Sequence, residues 1–109
     1  MNKYRNITII FDNIKFHSKK EGFRYLELKR LFKIGKITEL ELQKKFVLID
    51  EFKDYQGRKE TALHYIADFT YKDDKGVYTV EDVKGMKTEV YRIKKKLFLL
   101  RYSHKFIET

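Results

Sequence analysis

The chain has 109 residues, 42% hydrophobic and 38% charged, which is enough apolar material for one modest core and too much for a disordered chain. It contains no Cys, so a disulfide framework, thiolate metal ligands and a Cys nucleophile are excluded. The net charge of +9 points to a polyanionic partner, and it is unevenly placed: residues 1–33 carry +6, residues 34–81 carry −2 and residues 82–109 carry +5.

Taken in chain order, "NITIIFDNIKF" (6–16) reads as a short extended segment, and nothing before it resembles the apolar core of a signal peptide. In "SKKEGFRYLELKRLFKIGKI" (18–37), Ser18 is a good N-cap with Glu21 at the capping-box position. Phe23, Leu26, Leu31 and Ile34 follow helical spacing, and Gly35 supplies a stop. "LELQKKFVLI" (40–49) reads as a strand and "DEFKDYQGRKE" (50–60) as a polar loop. "TALHYIADFTY" (61–71) and "VYTVEDV" (77–83) are strands joined by a turn in "KDDKG" (72–76). Thr88 caps a second helix, "EVYRIKKKLFLLRYS" (89–103), with an apolar stripe of Val90, Ile93, Leu97 and Leu100, and "KFIET" (105–109) adds a last strand. The expectation is a single domain over 1–109, mixed α/β, with the order α-β-β-β-α-β. No apolar run is long enough to cross a bilayer, so no membrane partner and a cytoplasmic location are expected.

Charged residues interrupt these strands. With side chains alternating, Ala62, His64, Ile66 and Asp68 share one face of the second strand. Tyr78, Val80, Asp82 and Lys84 share one face of the third, and Glu81 leaves on the opposite side with Thr79 and Val83. If the two strands pair, Asp68 and Asp82 lie near each other. Two carboxylates on a partly apolar face are costly unless neutralised, and hard oxygen ligands suit Mg²⁺ or Mn²⁺. The plain alternatives are that Asp68 ends an edge strand, that Asp82–Lys84 is a surface pair and that Glu21 is only a cap. His64 reads as a packed strand histidine. On the second helix Lys94 falls on the inner arc, where it either snorkels or holds a phosphate, whereas Lys95 and Lys96 read as solvated.

These elements, with an acid in the first helix, Asp on the second strand and D-x-K on the third, resemble the PD-(D/E)XK nuclease superfamily. The blocks "FHSKKEGFRYLEL", "LQKKFVLI", "YIADFTY" and "VEDVKG" look like those of a small phage and prophage family within it. More distantly, the chain is similar to Holliday-junction resolvases and transposase nuclease domains. The resemblance implies a restriction-endonuclease-like fold with a mixed central sheet flanked by helices. It implies Glu21, Asp68, Asp82 and Lys84 as catalytic residues, and Mg²⁺ (Mn²⁺ substituting) held by Asp68, Asp82, the Val83 carbonyl and Glu21. Gln43 falls at a position similar to a glutamine of related small nucleases, and Ala67 stands where the superfamily motif has Pro.

The implied activity is DNA endonuclease cleavage, selective for branched DNA, by a homodimer in a phage-infected or lysogenic cell. Lys19, Lys20, Lys87, Arg92, Lys94 and Lys95 would meet the flanking phosphates. The alternatives are an inactive nuclease fold that binds DNA or a host partner, and an RNA binder using aromatic stacking.

Overall fold

A computed structural model describes residues 7–109, so the start of the expected extended segment, Asn6, lies outside the described residues. The remainder of that segment is a hairpin, β1 (Ile9–Phe11) and β2 (Ile14–Phe16), with Asp12 and Asn13 both at positive φ in its two-residue turn. α1 (Lys19–Lys33) follows, its Glu21 amide donating to Ser18 Oγ at 3.1 Å. The β1–β2 hairpin lies against the first turn of α1. A Cβ on Gly22 would stand 2.5 Å from Ile9 Cγ2, so only glycine permits that approach.

The central sheet is mixed. β3 (Thr38–Ile49), β6 (Leu63–Lys72) and β7 (Tyr78–Asp82) are antiparallel neighbours, and β8 (Lys105–Glu108) runs parallel to β7. The parallel connection is made through α2 (Glu89–Arg101), capped by Thr88 Oγ1, which accepts from the Tyr91 amide. The molecule is thus mixed α and β, with a mixed central sheet and two helices. Among the described residues no helix is long and apolar enough to cross a membrane.

The expected polar loop at 50–60 instead carries a second hairpin, β4 (Phe52–Lys53) and β5 (Lys59–Glu60). Its pairing continues from the Ile49–Leu63 end of the β3–β6 ladder in the same register. β4 and β5 therefore extend the β3–β6 pair beyond the central sheet as a two-stranded arm, and the run from Thr38 to Lys53 is about 50 Å at ~3.3 Å per residue. The longest dimension is 53 Å and the radius of gyration 16.3 Å. A compact chain of this length would have about 13 Å.

The buried faces of both helices differ from the expected ones. On α1, Tyr25 and Leu28 are buried and Leu31 is half-buried, whereas Phe23, Leu26 and Ile34 are exposed. On α2 the core side is Tyr91 and Phe98, while Val90, Ile93 and Leu100 face outward, Leu100 at 84% exposure. The tyrosines turn inward because each hydroxyl finds an acceptor: Tyr25 donates to Asp12 and Tyr91 to Glu108, both at 2.6 Å.

The core lies in two clusters. Phe46, Leu48, Tyr65, Ala67 and Val80 pack with Tyr91 and Phe98 of α2, and Phe16, Phe69 and Tyr71 pack with Tyr25 and Leu28 of α1. Tyr65 and Ala67 thus serve one cluster, whereas Phe69 and Tyr71, of the same parity on the same strand, serve the other. The simple alternation expected for β6 breaks at Asp68. Opposite it, Gln43 of β3 sits at φ +54°, a left-handed kink that reorients the pair there.

Candidate active site

The register places Phe69 of β6 against Glu81 of β7, so the next positions in the ladder, Asp68 and Asp82, face each other at the end of the strand pair. Asp82 is 1% exposed. Its Oδ2 accepts a 2.6 Å hydrogen bond from the buried Tyr65 hydroxyl, and its Oδ1 lies 3.3 Å from Lys84 Nζ. Asp68 Oδ2 accepts from the Val83 amide at 2.7 Å. Burial and the neighbouring Asp68 push the Asp82 carboxyl up to about 7. Burial also raises Asp68, and nearby Glu21 adds to this, while its bonds to Asp82 and the Val83 amide pull the other way. Burial thus favours the neutral form of both carboxyls, most strongly at Asp82.

Glu21 enters from α1. It is 8% exposed and lines an open cleft of about 800 Å³ with His17, Ser18, Lys20, Asp68, Val83, Lys84, Gly85 and Met86. Three elements distant in sequence thus bring Glu21, Asp68, Asp82 and Lys84 to one end of the sheet. Among the described residues no three acidic or imidazole side chains are grouped as a preformed metal cage. The donor chemistry nevertheless suits a hard divalent ion: two facing carboxyls, a third close to Asp68, and the Val83 main chain in the same wall.

Glu81 does leave on the opposite face. Its side chain is wholly buried, and it accepts from Arg24 Nε at 2.6 Å, Arg24 Nη2 at 2.9 Å, Tyr71 at 2.7 Å and Thr109 Oγ1 at 3.0 Å. Burial alone would raise this carboxyl, but Arg24 and Tyr71 hold it below the usual range. One residue apart, Glu81 ties the sheet to α1 and Asp82 faces the α2 side beside Tyr65 and Tyr91.

The basic residues divide into three groups. Lys19 and Arg92 are exposed, and Lys20 lines the cleft with its Nζ donating to the Lys84 carbonyl at 3.0 Å. Lys94 lines a second groove with His64, Asp68, Asp82, Lys84 and Tyr91, so it faces the charged end of the sheet and His64 is half-buried beside it. Lys95 departs from its expected solvated position. It is half-buried, 2.9 Å from Glu108 and over the Phe106 ring, and Lys87 also pairs with Glu108 at 3.2 Å. These two cations are committed within the chain, because β8 brings Glu108 beside α2. Gln43 is exposed and lines a small pocket with His17 and Glu21.

Sequence reasoning missed Tyr65 and Tyr91. Tyr65 orients Asp82, and Tyr91 carries Lys84 Nζ 4.2 Å above its ring. Apart from their β-strand and helix context, neither tyrosine has a local signature, since each contact spans the fold.

A search of curated proteins finds no match. A family model described as "Protein of unknown function (DUF1064)" matches residues 1–108. The chain that builds this acidic, lysine-bearing cleft therefore belongs to the DUF1064 family.

Proposed function

We propose that this protein is a divalent-metal-dependent DNA endonuclease of the PD-(D/E)XK type, acting on branched DNA as a homodimer within a phage-infected or lysogenic cell. The observation that carries this reading is that Glu21, Asp68 and Lys84, from α1, β6 and the segment after β7, line one accessible cleft, with the buried Asp82 beside Asp68 and Lys84 in the adjoining groove. Charge placement supports it, since end segments of net charge +6 and +5 flank the −2 middle segment that carries Asp68, and Asp82 stands at the boundary.

Asp68, Asp82, Glu21 and the Val83 carbonyl would hold Mg²⁺ or Mn²⁺. Such an ion, when bound, polarises the scissile phosphate and acidifies water. The remaining work belongs to the chain. Tyr65 fixes one Asp82 oxygen, leaving the other directed toward Lys84. Lys84, held over the Tyr91 ring, stands where it can orient a water and offset charge growing on the phosphate. Lys20 and Lys94 flank the cleft on two sides and would receive the adjoining phosphates.

The test is cleavage of labelled duplex, flap, fork and four-way junction in Mg²⁺, Mn²⁺ or EDTA. Metal-dependent cutting that favours branched substrates is expected. Binding without cutting would assign the protein to the second reading, a nuclease-like fold used as a binding module. Lys94→Ala is expected to weaken binding several-fold and to reduce the slope of log affinity against log salt by about one, measured by anisotropy titration. An unchanged slope would return Lys94 to packing alone.

A further inference from the structure

The arm formed by residues 50–61 ends in a turn that appears twice in this chain. In Asp54–Arg58, Asp54 Oδ1 accepts from the Gln56 and Arg58 amides at 2.9 Å, the Asp54 amide donates to the Arg58 carbonyl at 2.8 Å, and Gly57 sits at φ +78°. In Asp73–Val77, Asp73 Oδ1 accepts from the Lys75 and Val77 amides at 2.9 Å, the Asp73 amide donates to the Val77 carbonyl at 3.0 Å, and Gly76 sits at φ +79°. The second turn carries Asp74 at the position after its aspartate, an ordinary solvated choice. The first carries Tyr55, 93% exposed. The turn geometry does not require an aromatic residue there, because the same turn is built without one. The ring is presented on a locked tip, with Phe52 half-exposed behind it.

Three features say what the tip meets. Cations surround the tip: Lys53 is exposed, and Arg58 and Lys59, although paired with Asp54 at 3.2 Å and Glu51 at 3.1 Å, keep exposed side chains, so the ring stands in a basic setting that suits a polyanion. A two-stranded ribbon is slender enough for the DNA major groove. Ten residues separate Arg58 from Asp68 along the same strand run, roughly 30 Å at strand rise, close to one turn of duplex DNA.

We propose that the 50–61 arm is a base-stacking probe. Tyr55 stacks on an unpaired base about one helical turn from Asp68 at the charged end of the sheet, so branched or frayed DNA is bound in preference to continuous duplex. This rests on DNA as the ligand, and it names the feature of DNA that is read.

The test is binding in EDTA, where no cutting interferes, of a fork, a four-way junction and a blunt duplex, with 2-aminopurine at the branch. Tyr55→Ala is expected to lose roughly 5- to 150-fold in affinity for the branched DNAs and little for duplex. Tyr55→Trp should retain both, and the wild-type change in 2-aminopurine emission should vanish in Tyr55→Ala. Equal affinities of wild type and Tyr55→Ala, or an equal loss on duplex, would overturn the inference while leaving DNA binding intact. A drop in molar mass by light scattering in Tyr55→Ala would assign the tip to a second protein chain and also overturn it. A wild-type protein that binds none of the DNAs would remove the DNA reading and this inference together.

Discussion

Asp82→Asn is expected to reduce metal-dependent DNA cleavage by at least 100- to 1000-fold while leaving thermal stability unchanged or slightly raised. Both halves come from one geometry. Asp82 is buried opposite Asp68, and burial with that neighbour pushes its carboxyl up to about 7, so near neutrality it already carries a proton much of the time. Asparagine copies the neutral form, keeps an oxygen for the Tyr65 hydroxyl and removes the repulsion with Asp68. It removes the anionic oxygen that a hard cation requires.

Lys84→Ala should cost a similar 100- to 1000-fold in cleavage while leaving DNA affinity largely intact, because in the proposed reaction its ammonium, 3.3 Å from Asp82, would meet the reacting phosphate. The decisive comparison is with Glu81→Gln, one residue away on the opposite face, which should affect cleavage much less. Cleavage rates under single-turnover conditions, with melting curves of each variant, check the set. If Glu81→Gln were the more damaging change, the cleft would be assigned to the wrong face.

The largest stability effect is expected from Arg24→Ala, about 3–5 kcal/mol, because it strands a buried carboxylate. Glu81 is wholly buried and takes two hydrogen bonds from Arg24, whose guanidinium is held more firmly charged by that contact. At this chain length the loss corresponds to a melting-temperature drop of well over 10 °C, about 4–8 °C per kcal/mol.

Glu81→Gln should be milder, since an amide still accepts from Arg24 or Tyr71 and the half-exposed guanidinium can hydrate. The double variant should resemble Glu81→Gln more than Arg24→Ala. The pH dependence has a definite sign. Arg24 and Tyr71 hold the Glu81 carboxyl below its ordinary value near 4.5, so its contribution is fully present above that value and is lost as pH falls through the depressed one. Glu81→Gln should lack this part of the acid sensitivity. Urea titrations between neutral and acidic pH would show it, and identical acid profiles for wild type and Glu81→Gln would contradict the ion-pair account. Arg24 lies one turn beyond Glu21, so the same contact seats α1 on the sheet and brings Glu21 to the cleft.

The sequence by itself determined the local features. Ser18 and Thr88 mark the helix starts because their side chains accept the amides three residues on. Aspartate and glycine in "KDDKG" mark a turn because aspartate caps amides and Gly76 takes positive φ. The opposite exits of Glu81 and Asp82 follow from strand alternation alone, and so does most of the central sheet.

Tertiary structure decided what faces what. Hydropathy favoured Phe23, Leu26, Val90 and Leu100 for burial, yet Tyr25 and Tyr91 are inside, because Asp12 and Glu108 arrive from other elements to satisfy their hydroxyls. The same long-range pairing drew Lys95 partly out of solvent and paired the exposed Lys87 with Glu108. The loop at 50–60 became an arm because it inherits the register of the β3–β6 ladder, and that register is set by pairing between distant strands. The meeting of Glu21, Asp68, Asp82 and Lys84 was decided in the same way. Residue types and alternation are local properties, whereas the distance between α1 and the end of β7 depends on the packing of the whole chain.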